Sequence, residues 1–163
     1  MINAGILTIS DKGSKGERED ISGVEIAKFI ESLPAKISSY EIIPDEKNII
    51  KEKLIEFADV KELDLIITTG GTGVSPRDVT PDATLEVIEK EIPGMAEAMR
   101  MESLKITPHA MISRAVVGIR KRSLIINLPG SPRGARENLT ILLPSLPHAL
   151  AKIKGDPSDC AVP

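Results

Sequence analysis

The run Leu65-Ile66-Ile67-Thr68-Thr69-Gly70-Gly71-Thr72-Gly73-Val74-Ser75-Pro76-Arg77-Asp78 limits what this chain can fold into more than any other stretch. It begins as a short, nearly unbroken apolar segment, the pattern of a strand covered on both faces. Such strands belong to mostly parallel sheets with helices on each side. The glycines that follow free the backbone to curl tightly, and curled N–H groups beside threonine hydroxyls make a site for phosphate. No Gly-Lys-Ser/Thr follows, so the Walker pattern is absent, and the glycine spacing misses the dinucleotide fingerprint. The expectation is a phosphate or nucleotide loop of another type, with Asp78 attached to it.

The rest of the chain alternates in the same way. Residues 2–10 read as a first strand. Val24, Ala27, Ile30 and Leu33 recur at helical spacing, and Pro34 closes that helix. Residues 37–43 form a second strand, 48–58 an amphipathic helix and 63–69 the third strand. Thr80-Pro81-Asp82-Ala83 opens a helix, with Thr80 as N-cap and Pro81 at the first helical position, running to about Glu91. Pro93-Gly94 interrupts, and residues 95–104 form another helix. Residues 116–119 and 124–128 read as an antiparallel hairpin whose tip is Arg120, Lys121, Arg122 and Ser123. Residues 133–153 are helical but divided by Pro144 and Pro147. No repeat, linker or low-complexity segment breaks the 163 residues, so a single domain over 1–163 is expected. The sheet is expected to be mostly parallel, covered on both faces, with one antiparallel pair.

In such a sheet ligands bind beyond the carboxyl ends of the strands. Ser10-Asp11, Pro44-Asp45, Thr69-Gly70-Gly71 and Leu128-Pro129-Gly130-Ser131 should therefore meet on one rim. Asp45 reads equally as an N-cap or first-turn carboxylate of a helix and as part of a site, and Asp78 can make a local Asx turn. Together, two carboxylates beside a phosphate loop suit Mg²⁺, which takes oxygen ligands and is shared with substrate phosphates. Asp82 sits where it complements a helix dipole. The Leu128 to Ser131 turn leads into a helix whose N-terminus favours an anion. Arg114 is a candidate for bidentate contact with an anionic substrate, and Arg77 can pair with Asp78 or reach a ligand. His109 and His148 lack partners at metal-ligand spacing and read as structural. Met95, Met99 and Met101 read as packing residues.

Composition removes several function classes. The net charge is −3 and the chain has one Tyr, two Phe and no Trp. That argues against a general nucleic-acid binder and against stacking platforms for single strands. One cysteine, Cys160, can build neither a disulfide framework nor a metal cluster. No apolar stretch is long enough to span a bilayer, and the strand pattern starts at once without a basic leader. A cytoplasmic location is expected.

Taken in order, Ile9-Ser10-Asp11 with Ser22-Gly23, Pro44-Asp45, Thr68 to Gly73, Arg77-Asp78-Val79-Thr80-Pro81-Asp82-Ala83-Thr84, Pro93-Gly94 with Met99-Arg100, Ser113-Arg114 and Asn127 to Pro132 form one continuous set. In these motifs the chain resembles the molybdopterin adenylyltransferase family, which includes the G domains of gephyrin and of plant molybdenum-insertion proteins. The resemblance implies a three-layer α/β/α sandwich, adenylylation of molybdopterin by ATP with Mg²⁺, and release of pyrophosphate. It implies that Asp45 and Asp78 are the catalytic, metal-holding carboxylates. Thr69, Gly70, Gly71, Thr72, Gly73 and Ser75 would hold the nucleotide phosphates, with Leu128, Pro129, Gly130 and Ser131 around the adenosine. Ser10, Asp11, Thr80, Asp82, Ser113 and Arg114 would face molybdopterin. It also implies a homo-oligomer, a trimer or, as in the shorter MoaB-like branch, a hexamer, with a molybdenum-insertion protein as possible partner. The chain ends soon after its last helix, which resembles that shorter branch. A non-catalytic molybdopterin carrier is the rival reading, and a phosphatase lacks an evident nucleophile.

Overall fold

Strand and helix alternate from the first residues, as the sequence of apolar runs and amphipathic stretches requires. The computed structural model describes residues 1–160. Among these the strands are β1 (Ile2–Ile9), β2 (Ala35–Ile43), β3 (Leu65–Thr69), β4 (Lys90–Glu91), β5 (Val117–Arg120) and β6 (Ser123–Leu128). The helices are α1 (Asp11–Ser14), α2 (Ile21–Glu31), α3 (Lys47–Ile55), α4 (Thr80–Val87), α5 (Pro93–Leu104), α6 (Pro132–Leu142) and α7 (Leu146–Ile153). A π-helical turn, Glu56–Val60, extends α3, and a 3₁₀ turn, Pro108–Ile112, follows α5. No helix among the described residues is long and apolar enough to cross a membrane.

The sheet order is β2-β1-β3-β6-β5-β4. The first four of these run parallel, while β5 is antiparallel to β6 and β4 to β5. Period-two alternation gives each face its own aliphatic core. Leu65 and Ile67 of β3 pack with Ile26 and Ile30 of α2, Met95 and Met99 of α5 and Leu139 of α6. Ile66, between them, packs on the other face with Leu54, Phe57, Ala83 and Val87. This is the three-layer α/β/α sandwich that was expected. With so few aromatics, Ile and Leu form both cores, each fully buried side chain contributing roughly 1.5–3 kcal/mol before the entropy of ordering it.

Several boundaries differ from the sequence reading: a short helix, α1, follows β1, β2 starts at Ala35, and Pro93 and Gly94 open α5 rather than interrupt the chain, while two further differences lie at the sheet edge. The helix opened by Thr80 stops at Val87 rather than Glu91, because Ile88 is extended. Glu89 N–H then donates to Ile119 O and Ile92 N–H to Val117 O, which makes Lys90–Glu91 an edge strand. The pull of an open sheet edge overrides the helical pattern here. Arg120 belongs to β5 rather than to the hairpin tip, its guanidinium bonded to both Asp59 carboxylate oxygens at 2.9 and 2.6 Å and to Val87 O. A solvated tip remains only at Lys121 and Arg122.

The chain leaves β1 towards β2 on one side, while β3 lies on the other side of β1. The connections from these neighbouring strands diverge, and the crevice between the carboxyl ends of β1 and β3 is the topological switch point.

Candidate active site

At that crevice β3 ends in Thr69, and the next two residues turn left-handed: Gly70 has φ +101° and Gly71 φ +65°. A Cβ on Gly70 would stand 2.3 Å from Ile9 O, and one on Gly71 would stand 2.5 Å from Thr80 Oγ1. Only glycine combines that backbone with that closeness. Gly70 N–H donates to Leu128 O at 3.1 Å. The following N–H groups, on Gly71, Thr72, Gly73 and Val74, find no internal acceptor among the described residues. Buried or half-buried N–H groups without partners are uncommon, and a run of them forms a concavity for an anion.

The second turn is bolted to the first. Thr69 Oγ1 donates to Pro129 O at 2.8 Å and Ser22 Oγ to Gly130 O at 2.8 Å. Ser131 caps α6, its Oγ accepting from Gly134 N–H. Gly130 and Ser131 N–H also lack internal acceptors among the described residues. Beneath both turns lies fully buried Asn127. Its Nδ2 donates to Thr68 Oγ1 at 3.0 Å and Thr84 Oγ1 at 2.9 Å, and its Oδ1 accepts from Val116 N–H at 3.1 Å. That side chain ties β3, α4, β6 and the residue leading into β5 together under the loops.

The carboxylates arrive from separate strand ends. Asp45 follows β2, and its Oδ2 accepts from Asp11 N–H at 2.8 Å, while Asp45 N–H donates to Asp11 Oδ1 at 3.1 Å. Burial pushes the Asp45 carboxyl above its ordinary value, and the Asp11 and Asp78 charges nearby add to this against the Asp11 N–H. Asp78 makes no Asx turn: it closes a β-turn, its N–H donating to Ser75 O at 2.9 Å, and its Oδ2 reaches back to accept from Ser75 N–H at 3.0 Å. Asp45 is not the helix cap, since Glu46 takes that position. A half-buried anion facing further negative charge is suited to a cation. Among the described residues no cluster of three or more His, Cys, Asp or Glu could hold a metal. Two carboxylates alone still suit Mg²⁺, which keeps waters and substrate phosphates as its other ligands.

Two local readings are corrected, the pairing of Arg77 with Asp78 and the capping role of Thr80, and Arg77 and Arg114 are both already engaged. Arg77 pairs neither with Asp78 nor with open space. It forks onto Asp11 at 3.0 and 2.9 Å and reaches Glu46 at 2.8 Å. The guanidinium holds the Asp11 carboxyl below its ordinary value, and Asp11 braces the rim between β1 and β2. Arg114 is occupied as well: it forks onto Asp82 at 3.1 and 3.0 Å, and donates to Gly73 O at 2.8 Å and Asp78 O at 2.6 Å. Arg114 and Asp82 therefore clamp the glycine loop in shape. Thr80 is not an N-cap. Val79 holds that position, and buried Thr80 Oγ1 donates to Gly70 O at 3.0 Å.

Two cavities flank the ridge made by the glycine turns. A polar cleft of about 570 Å³ is lined by Ser10, Thr69, Gly70, Gly71, Asp45, Asp78 and Gly130, together with Arg18, Glu19, Asp20 and Ser22. A more apolar cavity of about 260 Å³ lies across the ridge, against Thr72, Gly73, Ser113, Pro129, Ser131, Met99, Arg100, His109 and Asn138. Leu128 is fully buried and offers the loop its carbonyl, and Ser75 is exposed, its N–H donating to Asp78. Sequence reasoning missed Arg18, Glu19 and Asp20. The signal was the helix start at Ile21, since a residue capping the second helix of a βαβ unit must stand at the same rim.

Comparison with known proteins agrees with this arrangement. A family described as "Probable molybdopterin binding domain" matches residues 5–148. The chain is 45% identical over 157 residues to a molybdopterin adenylyltransferase of Helicobacter pylori, covering 95% of this chain and 89% of that one. It is 42% identical to gephyrin of Dictyostelium discoideum over 94% of this chain, a match that spans 23% of that longer protein. The crystal structure of the molybdopterin biosynthesis enzyme MoaB from Thermus thermophilus superposes with a TM-score of 0.91 at 51% identity, covering 98% of this chain and 100% of that one. With its glycine turns, its carboxylate rim and these matches over nearly its whole length, the chain belongs to the molybdopterin-binding domain family of molybdenum cofactor biosynthesis.

Proposed function

We propose that this protein is a molybdopterin adenylyltransferase that uses ATP with Mg²⁺. One observation supports this most: the run of N–H groups without internal acceptors starts at Gly71, which lines the same cleft as Asp45 and Asp78 at the switch point of the sheet, and passes Asp78 again at Gly73. The name and near-complete coverage of the Helicobacter pylori relative support the same activity.

In this reading the polar cleft takes the triphosphate, and the apolar cavity across the ridge takes a ring system. Asp45 and Asp78 hold Mg²⁺, which when bound neutralises phosphate charge. Gly71 to Val74 offer N–H groups to the phosphoryl oxygens, and the Gly130–Ser131 turn offers two more. The terminal phosphate oxygen of molybdopterin attacks the α-phosphorus. A new P–O bond forms, the α–β bridging P–O bond breaks, and its electron pair leaves on pyrophosphate. The chain supplies position and fixed dipoles rather than a nucleophile. Arg114 and Thr80 act at one remove, keeping the loop in the shape that aims its N–H groups.

A non-catalytic carrier would need the cavities but not a metal-holding carboxylate pair. The test is to incubate the purified protein with molybdopterin, ATP and Mg²⁺ and to follow adenylylated molybdopterin and pyrophosphate. Asp78→Asn should lower turnover by about 100-fold or more while leaving molybdopterin binding within a factor of a few. Turnover that survives in Asp78→Asn contradicts the metal assignment.

A further inference from the structure

We propose that Arg18 binds the leaving pyrophosphate portion of ATP and so sets the affinity for the triphosphate; this rests on reading the polar cleft as the triphosphate site. The argument begins with charge. A triphosphate brings about four negative charges, and the cleft already carries Glu19, Asp20, Asp45 and Asp78. Of the arginines around the loop, Arg77 is bound to Asp11 and Glu46, and Arg114 to Asp82. Neither can turn to a ligand without abandoning a carboxylate. Arg18 is the one cationic side chain lining the cleft, and among the described residues it makes no hydrogen bond or ion pair.

Its location is fixed even though its side chain is free. Two residues further on, Asp20 caps α2, its Oδ1 accepting from Gly23 N–H at 2.9 Å and its Oδ2 accepting from Thr8 Oγ1 at 2.6 Å and from the Tyr40 hydroxyl. The loop that bears Arg18 is thereby pinned to β1 and β2 at the cleft wall. A guanidinium there meets phosphoryl oxygens with a planar fork, the geometry that favours bidentate contact. When the α–β bond breaks, charge accumulates on pyrophosphate, and Arg18 neutralises it without touching the reacting phosphorus.

The test uses the full-length protein and its R18Q and R18K variants. Pyrophosphate with Mg²⁺, and separately AMP, are titrated calorimetrically, and steady-state kinetics are run against ATP and molybdopterin. R18Q should weaken pyrophosphate binding and raise KM for ATP by about tenfold, as expected for one charge-assisted contact at a partly exposed site. AMP binding, KM for molybdopterin and Tm should stay unchanged, and R18K should retain most of the affinity. Unaltered pyrophosphate affinity and KM for ATP in R18Q, beside an active wild type, overturn the role of Arg18 and leave the activity standing. Equal weakening of AMP and pyrophosphate also overturns it, since that pattern reports a distorted cleft. A wild-type protein that binds no pyrophosphate and turns nothing over removes both the cleft reading and the proposal.

Discussion

Asp45 is held where an anion is poorly solvated and faces other carboxylates, so its charge works against the fold unless a cation joins it. Its carboxyl lies above the ordinary 3.8 in the folded protein. Below 3.8 the group is neutral in both folded and unfolded chains and has no effect. As pH rises from 3.8 through the folded value, the unfolded chain gains by ionising first, and the resulting penalty persists at neutral pH. Asp45→Asn keeps the acceptor for Asp11 N–H and removes the charge. In metal-free buffer at about pH 7 it should raise Tm by a few degrees at most, while turnover falls by about 100-fold or more. Added Mg²⁺ should raise the Tm of the wild type and not of the variant. A lower Tm for Asp45→Asn without metal contradicts the assigned electrostatics. The same shift means that in metal-free protein Asp45 becomes neutral on acidification before an ordinary aspartate would, and a neutral Asp45 cannot hold a cation. Asp11 behaves in the opposite sense: Arg77 lowers its carboxyl, so its stabilising pairing is complete above 3.8 and is lost as pH falls through its folded value.

At the scale of elements, the loops owe their shape to what lies beneath them. Asn127 joins β6 to β3, to α4 and to the residue before β5 through three hydrogen bonds in a fully buried position. Asn127→Ala leaves Val116 N–H without that partner and removes the donors to Thr68 and Thr84. The expected loss is about 2–4 kcal/mol, or a Tm lowered by roughly 5–12 °C in a chain of this size, read by thermal melting. An unchanged Tm would mean that the network does not hold the turns. The sequence made some of these elements legible and hid others. The apolar run from Leu65 and the glycines after it named a buried strand and its loop, because both signals are local. Arg114 and Arg77 looked like ligand contacts because nothing in sequence shows that Asp82 and Asp11, 32 and 66 residues away, meet them. The two-residue strand Lys90–Glu91 was invisible for the same reason, existing only through its pairing with β5. Thr80 shows a third case: a Thr-Pro pair reads as a cap, yet its hydroxyl is drawn to Gly70 O by the tight packing of loop on helix.

For the whole molecule, the strand order and the crevice it creates explain why four strand ends distant in sequence share one rim, a convergence that the alternation of strands and helices alone foretold. The surface carries one further feature of scale. Met101 and Leu104 at the end of α5, Ile106 after it, and Met111 and Ile112 in the 3₁₀ turn are all exposed. Exposed apolar side chains this close along the chain are candidates for burial by association, and we propose a second copy of the chain as what covers them. Sedimentation velocity should give a trimer, or the hexamer of the shorter branch, and a monomer at micromolar concentration would contradict that expectation. The central claim is the chemistry at the glycine turns. Its most direct measurement is the appearance of adenylylated molybdopterin and an equal amount of pyrophosphate when the wild-type protein receives molybdopterin, ATP and Mg²⁺. Stoichiometric product, abolished by omitting Mg²⁺, is predicted; no product where a family member of established activity turns over under the same conditions would contradict it.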